Sequence, residues 1–140
     1  MNLGMTVMIH KLFGDNEDTV QTLRRNIGKA IASLELDPTI GAGGALVFRF
    51  TDGTGMRLRD DGQSCCEHRY MHSDDKLADF VGARFLGAGV KDAPSTEGEY
   101  GEVHDVQFLV IQTTIGEFAI ETHNEHNGYY GGFLIVAEEV

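Results

Sequence analysis

Leu23, Ile27, Gly28 and Ile31 recur as Leu77, Val81, Gly82 and Phe85, at one constant offset of 54 positions. Each set then runs into a stretch that reads as a β-hairpin, Leu46–Arg59 in the first case and Phe108–Glu121 in the second. The hairpins match at an offset of 62, as from Met56 to Phe118. Copies that stay similar report a shared core. Residues present in only one copy are candidates for function. The repeat predicts an α+β fold: one antiparallel, β-rich domain over residues 1–140, with two short helices, built by an internal pseudo-duplication with halves at about 19–70 and 73–137.

Local patterns place the elements. Met5–Leu12 reads as a first strand. The acids Asp15, Glu17 and Asp18 mark a helix start, where the dipole favours negative charge. Val20, Leu23 and Ile27 share a helical face, so Thr19–Asn26 is predicted helix, ended by Gly28. Ile31–Leu36 reads as strand and Asp37–Gly44 as a glycine-rich turn. Asp74–Phe80 is predicted to repeat the helix and Phe85–Val90 the strand. Lys91–Glu102 reads as a surface loop or flap. Val103–Gln112 and Gly116–Thr122 read as strands, His123–Asn127 as a polar corner, and Phe133–Ala137 as a last strand. Short hairpin links imply antiparallel pairing.

Composition narrows the class of partner. The net charge of −11 disfavours broad contact with nucleic acid, which needs a basic face. No apolar run reaches the ~20 residues of a membrane span. Met1–Gly14 lacks a small-residue cleavage pattern and reads as mature sequence. The only cysteines, Cys65 and Cys66, are adjacent. Disulfide geometry disfavours bridging neighbours, so a reducing cytoplasm is expected.

Three constellations carry chemistry. Alternation along the first hairpin puts Phe48 and Phe50 on one face with Met56 and Leu58, and Arg49, Arg57 and Arg59 on the other. The second copy keeps the core, with Phe118 and Ile120, but has Ile111, Ala119 and Glu121 in place of the arginines. Three guanidiniums on one face need negative charge among them. Either carboxylates such as Asp52, Asp60 or Asp61 supply it, or the face is a cradle for an anion, since the arginine fork matches phosphate oxygens.

The second constellation is the run from His123 to Gly132. Its Asn-Gly and Gly-Gly steps permit positive φ and an anion-binding nest. Tyr129 or Tyr130 would stack on a planar base, and Asn124 and Asn127 would read its edge. The plainer reading is a tight corner whose tyrosines cap the core. The third is Cys65-Cys66-Glu67-His68, with His72 beyond. Adjacent cysteines fit the spacing of a zinc site poorly, even with His104, His123 or His126 added, and no acid stands ready to orient a Cys–His pair. No metal, cofactor or catalytic residue is assigned, and a small buried role is expected for the cysteines.

Gly62-Gln63-Ser64-Cys65-Cys66-Glu67-His68 and Asn127-Gly128-Tyr129-Tyr130-Gly131-Gly132 together resemble an uncharacterised family of small phage and prophage proteins. The resemblance runs from about Ile27 to Val140. Where many of its members carry Arg, this chain has His123. By analogy of size, setting and site chemistry it extends to the phage anti-Thoeris sponges, which trap cyclic ADP-ribose isomers. It implies a phage-encoded counter-defence protein that sequesters a small nucleotide-derived immune signal without turnover. The expected setting is the host cytoplasm and the expected state a homo-oligomer, with no membrane or direct nucleic-acid contact. Arg49, Arg57 and Arg59 would hold phosphate, with His123, Asn124, Asn127, Tyr129 and Tyr130 completing the ligand site. The alternative is an acidic inhibitor of a host nuclease or CRISPR effector, using Asp60, Asp61, Asp74, Asp75, Glu138 and Glu139 as phosphate surrogates. A metal-dependent hydrolase built on the Cys/His cluster is a third reading.

Overall fold

The computed structural model describes residues 17–40, 43–60, 67–92, 96–97, 103–126 and 135–140. The predicted strand at Met5–Leu12, the two cysteines and the Asn127–Gly132 turn lie outside them. Chain order runs α1 (Glu17–Asn26), β1 (Ile31–Asp37), β2 (Ala45–Phe50), β3 (Gly55–Asp60), β4 (Glu67–His72), a 3-10 turn at Leu77–Phe80, β5 (Phe85–Asp92), β6 (Thr96–Glu97), β7 (Val103–Thr113), β8 (Gly116–His126) and β9 (Ile135–Glu139). The strands form two antiparallel sheets, one ordered β1-β2-β3-β9 and one ordered β4-β8-β7-β5, with β6 also on β7. The β-rich reading of the sequence holds at this level. No helix among the described residues is long and apolar enough to cross a membrane.

One core lies between the sheets. Ile31, Leu46, Phe48, Met56 and Leu58 of the first sheet meet Phe85, Leu109, Ile111, Phe118 and Ile120 of the second. The Phe48 ring meets Phe85 edge-on, with centroids 5.5 Å apart, a favoured aromatic arrangement. Helix α1 adds Val20 and Leu23 to this core. Its first turn is acidic and its last basic, as the macrodipole favours. Buried Thr19 accepts the Ala137 amide at 3.1 Å, tying the helix to β9.

The matched segments meet at the junction of the sheets. Gly28 N donates to Phe85 O at 2.7 Å and Gly82 N to Ile31 O at 2.8 Å; Ile31 N donates to Ala83 O at 2.8 Å and Phe85 N to Lys29 O at 3.0 Å. Gly28 and Gly82 adopt φ of 93° and 94°, a conformation that glycine reaches without a Cβ penalty. A Cβ at either would meet open space, so backbone conformation and not crowding calls for glycine.

The reciprocity ends there, and the fold shows no clear pseudo-duplication. The first sheet takes in β9 from the far end of the chain, and the second takes in β4 and β6. The predicted second helix is a single 3-10 turn. Leu77 and Phe80 supply too short an apolar stripe to repay helix nucleation. The residues before them are held to β8 instead: Ser73 Oγ donates to Ala119 O at 2.9 Å and Asp75 Oδ2 accepts the Ala119 amide at 2.9 Å.

Two further expectations are corrected. The predicted loop from Lys91 begins later, because β5 runs to Asp92, and Thr96–Glu97 pairs with β7. The expected corner at His123 is strand, since β8 continues to His126 with β4 on one side and β7 on the other. The segment before Tyr70 and the segment after His123 do meet, as neighbouring strands with Tyr70 opposite His123 and Arg69 opposite Asn124.

Candidate functional site

Side chains alternate along a strand, and directly paired residues share a face. Register therefore defines the outer surface of the first sheet. Ser33, Arg49 and Gly55 form one row across it. Glu35, Val47, Arg57 and Glu138 form the next, and Asp37, Ala45 and Arg59 a third. Arg49, Arg57 and Arg59 thus share one face, opposite the buried Phe48, Phe50, Met56 and Leu58.

The acid among them is Glu138. Arg57 donates to Glu138 Oε2 through Nε at 2.9 Å and Nη2 at 2.6 Å, and Arg59 donates through Nε to Oε1. Partial burial alone would raise this carboxyl. The hydrogen bonds and charges of Arg59 and Arg57 outweigh that and hold it below the ordinary carboxylate range. One carboxylate is thus shared by two guanidiniums. Of the sequence-based candidates, Asp52 faces Lys29 at 3.5 Å, Asp60 is buried, and Asp61 lies outside the described residues.

Arg49 is exposed and makes no ion pair among the described residues. A Cβ on Gly55 would come 2.9 Å from its Nη1, so the glycine lets the side chain lie over β3. Arg49 and Arg57 line a cavity of about 210 Å³, with Ser33, Glu35, Asp37 and Val140 on its wall. Asp37 is already turned into its own loop, accepting the Thr39 amide and hydroxyl at 2.9 and 2.6 Å. The site therefore presents the Arg49 fork beside two guanidiniums held on Glu138, in a nearly neutral setting. An anion is drawn to it by hydrogen-bond geometry more than by net charge.

The other proposed ligand residues are not assembled here. His123 lies on the second sheet, stacked on Tyr70 with centroids 4.5 Å apart and planes 5° from parallel, and Nε2 is 3.1 Å from Glu121 Oε1. Asn124 follows it on β8. Asn127, Tyr129 and Tyr130 lie outside the described residues. Sequence reasoning missed Glu138 as the arginine partner, and it missed the grouping of His72 and Asp74 with Glu121, whose ligand atoms all lie within 4.8 Å of one another. Only the Glu121-Thr122-His123 spacing carried a signal, since residues two apart share a strand face; Asp74 lies in the turn after β4.

Residues 24–136 match DUF7448, a domain of unknown function. The chain belongs to the DUF7448 family. No curated protein and no solved structure matches it. The DUF7448 match begins within α1 and ends in β9, so it spans both sheets and includes all three arginines. Glu138 lies two positions beyond it.

Proposed function

We propose that this DUF7448 protein is a non-catalytic binder of a small anionic, nucleotide-derived ligand, held on the outer face of the first sheet. The observation that carries this reading is the placement of Arg49 and Arg57 on one cavity, with Arg59 beside them and the Glu138 carboxylate between two of the three. The counter-defence role, sequestration of an immune signal in the host cytoplasm, rests on the likeness to phage proteins. A cavity of about 210 Å³ is smaller than the roughly 300–1,000 Å³ pockets that enclose drug-sized ligands. A second copy of the chain would supply the missing wall, so the binder is read as a homo-oligomer.

The acidic-mimic alternative has less support, because its carboxylates among the described residues are buried or engaged. Asp60 is buried, Glu138 holds two arginines, Glu139 pairs with Arg25 at 2.8 Å, Asp75 accepts a β8 amide and Asp74 contacts His72 at 2.9 Å.

Thermal-shift titration against cyclic nucleotides and ADP-ribose compounds tests the proposal. The wild type is expected to be stabilised, and the ligand recovered unchanged after denaturation. Arg49→Ala and Arg57→Ala should each weaken binding by about tenfold or more, the scale of a lost charge-assisted pair. Equal shifts in wild type and both variants, or no shift with any anion, would end the reading. A basic protein partner bound with steep salt dependence would favour the mimic instead.

A further inference from the structure

The outer face of the second sheet holds a separate cluster, and it is built from metal-ligand chemistry. β4 ends in His72 and β8 carries Glu121 directly opposite, while Tyr70 and His123 are the next paired row on the same face. Thr122 lies between the two β8 residues, points inward and is buried, so the alternation is real. Asp74 reaches the cluster from the turn after β4. Its Oδ1 is 2.9 Å from His72 Nε2, and its carboxylate comes within 4.8 Å of a Glu121 carboxylate oxygen.

Two carboxylate oxygens within 4.8 Å of each other in a strongly acidic protein repel, and a cation between them would relieve that cost. Here they are held together. Ser73 Oγ donates to Ala119 O, and Asp75 Oδ2 accepts the Ala119 amide, so the residues on both sides of Asp74 bind the backbone of one β8 residue. Ala119 lies two positions from Glu121 on the same strand. The turn thus carries Asp74 to Glu121 by backbone-directed bonds that need no help from the acids themselves.

We propose that His72, Asp74 and Glu121 form a divalent-metal site, with zinc as the metal and His123 as the group that positions Glu121. One imidazole nitrogen and two carboxylate oxygens are a donor set that zinc accepts, at bonds of roughly 2.0–2.2 Å. Donors around such a tetrahedral ion sit roughly 3.3 Å apart, as those bond lengths require. The three donor atoms now lie within 4.8 Å of one another, about 1.5 Å wider than that spacing at most. Two carboxylates match the dipositive charge.

His123 Nε2 meets Glu121 Oε1, leaving the other oxygen for the metal, and its ring is fixed flat against Tyr70. Such outer partners typically change metal affinity by about 10–100-fold. His72 and Asp74 are exposed, which leaves the remaining coordination positions open to water or a ligand. A depression of about 300 Å³ lined by Phe108, Val110, Ala119 and Lys91 adjoins the cluster, with Phe108 directly opposite Glu121.

Calorimetric titration of the metal-free full chain with zinc chloride tests this, followed by cobalt as an absorbing substitute. The expected result is one zinc per chain. His72→Ala with Glu121→Gln should abolish binding, Asp74→Asn should weaken it more than tenfold, and His123→Ala should weaken it about tenfold. Cys65→Ser with Cys66→Ser should leave it unchanged, and the cobalt form should lack a thiolate charge-transfer band. His72 and Asp74 are surface residues, so their variants keep the fold, as circular dichroism would confirm. The proposal is overturned if zinc does not bind, if the His72/Glu121 variant binds as tightly as wild type, or if a thiolate band appears. Arg49→Ala and Arg57→Ala should not affect zinc, which keeps this test separate from the anion site.

Discussion

Phe85→Ala is expected to cost about 3–5 kcal/mol of folding stability, the range for emptying a buried aromatic site. Phe85 is fully buried. Its ring packs edge-on against Phe48 from the other sheet, so truncation opens a cavity between the two layers. The surroundings cannot collapse easily into that space. The backbone of Phe85 is fixed by bonds to Gly28 and Lys29 at 2.7 and 3.0 Å, and alanine retains both. The loss is therefore one of packing and not of hydrogen bonding.

Against a total stability of about 5–15 kcal/mol, a change of this size takes away much of the folded population at physiological temperature. Denaturant unfolding is the measurement: the midpoint should fall with an unchanged slope. The neighbouring Leu86 is 41% exposed, and Leu86→Ala should shift stability by less than about 1 kcal/mol. Similar losses at the two positions would show that the sheets are not joined through the Phe48–Phe85 contact.

Glu138→Gln is expected to move stability and anion binding in opposite directions. Glutamine keeps the shape but removes the charge that Arg57 and Arg59 share. Losing charge-assisted bonds at a half-buried site should cost about 1–2 kcal/mol at neutral pH. The pH dependence follows from the depressed carboxyl. A group with a lowered folded pKa contributes stability that is fully present above its ordinary unfolded value. That contribution is lost as pH falls through the folded value. The gap between wild type and variant should therefore be widest at neutral pH, narrow below about pH 4.5 and close in stronger acid. Urea titrations at pH 7 and pH 3 check this.

Anion affinity should rise by about tenfold in the same variant, since two guanidinium forks are released from their internal carboxylate. A fall in affinity would mean that the ligand does not use Arg57 and Arg59. It would remove the basis of the anion proposal even if Arg49 still mattered.

Period-two alternation told which residues share a face. It placed Phe48 and Phe50 opposite Arg49 correctly, because side-chain direction in a strand is a local property. The end of α1 at Gly28 was equally legible, since the positive φ of that residue is a local demand. Alternation says nothing about which strand lies alongside. Glu138 reaches Arg57 across 81 positions of chain, and no pattern in the first hairpin points to it. The second helix failed for a related reason. Its sequence resembles α1 over a few apolar positions, but Ser73 and Asp75 bind Ala119, which only the packed sheet presents.

The amino-acid sequence by itself determined the strand-rich class, the inward phenylalanines and the arginine face, because each depends on side-chain spacing within a single segment. The tertiary structure alone decided that β9 completes the first sheet and that β4 lies against β8. Those pairings exchange one set of backbone hydrogen bonds for another of similar local energy. The choice among them is made by burial of the whole core. Both the carboxylate between the arginines and the meeting of His72, Asp74 and Glu121 follow from that choice.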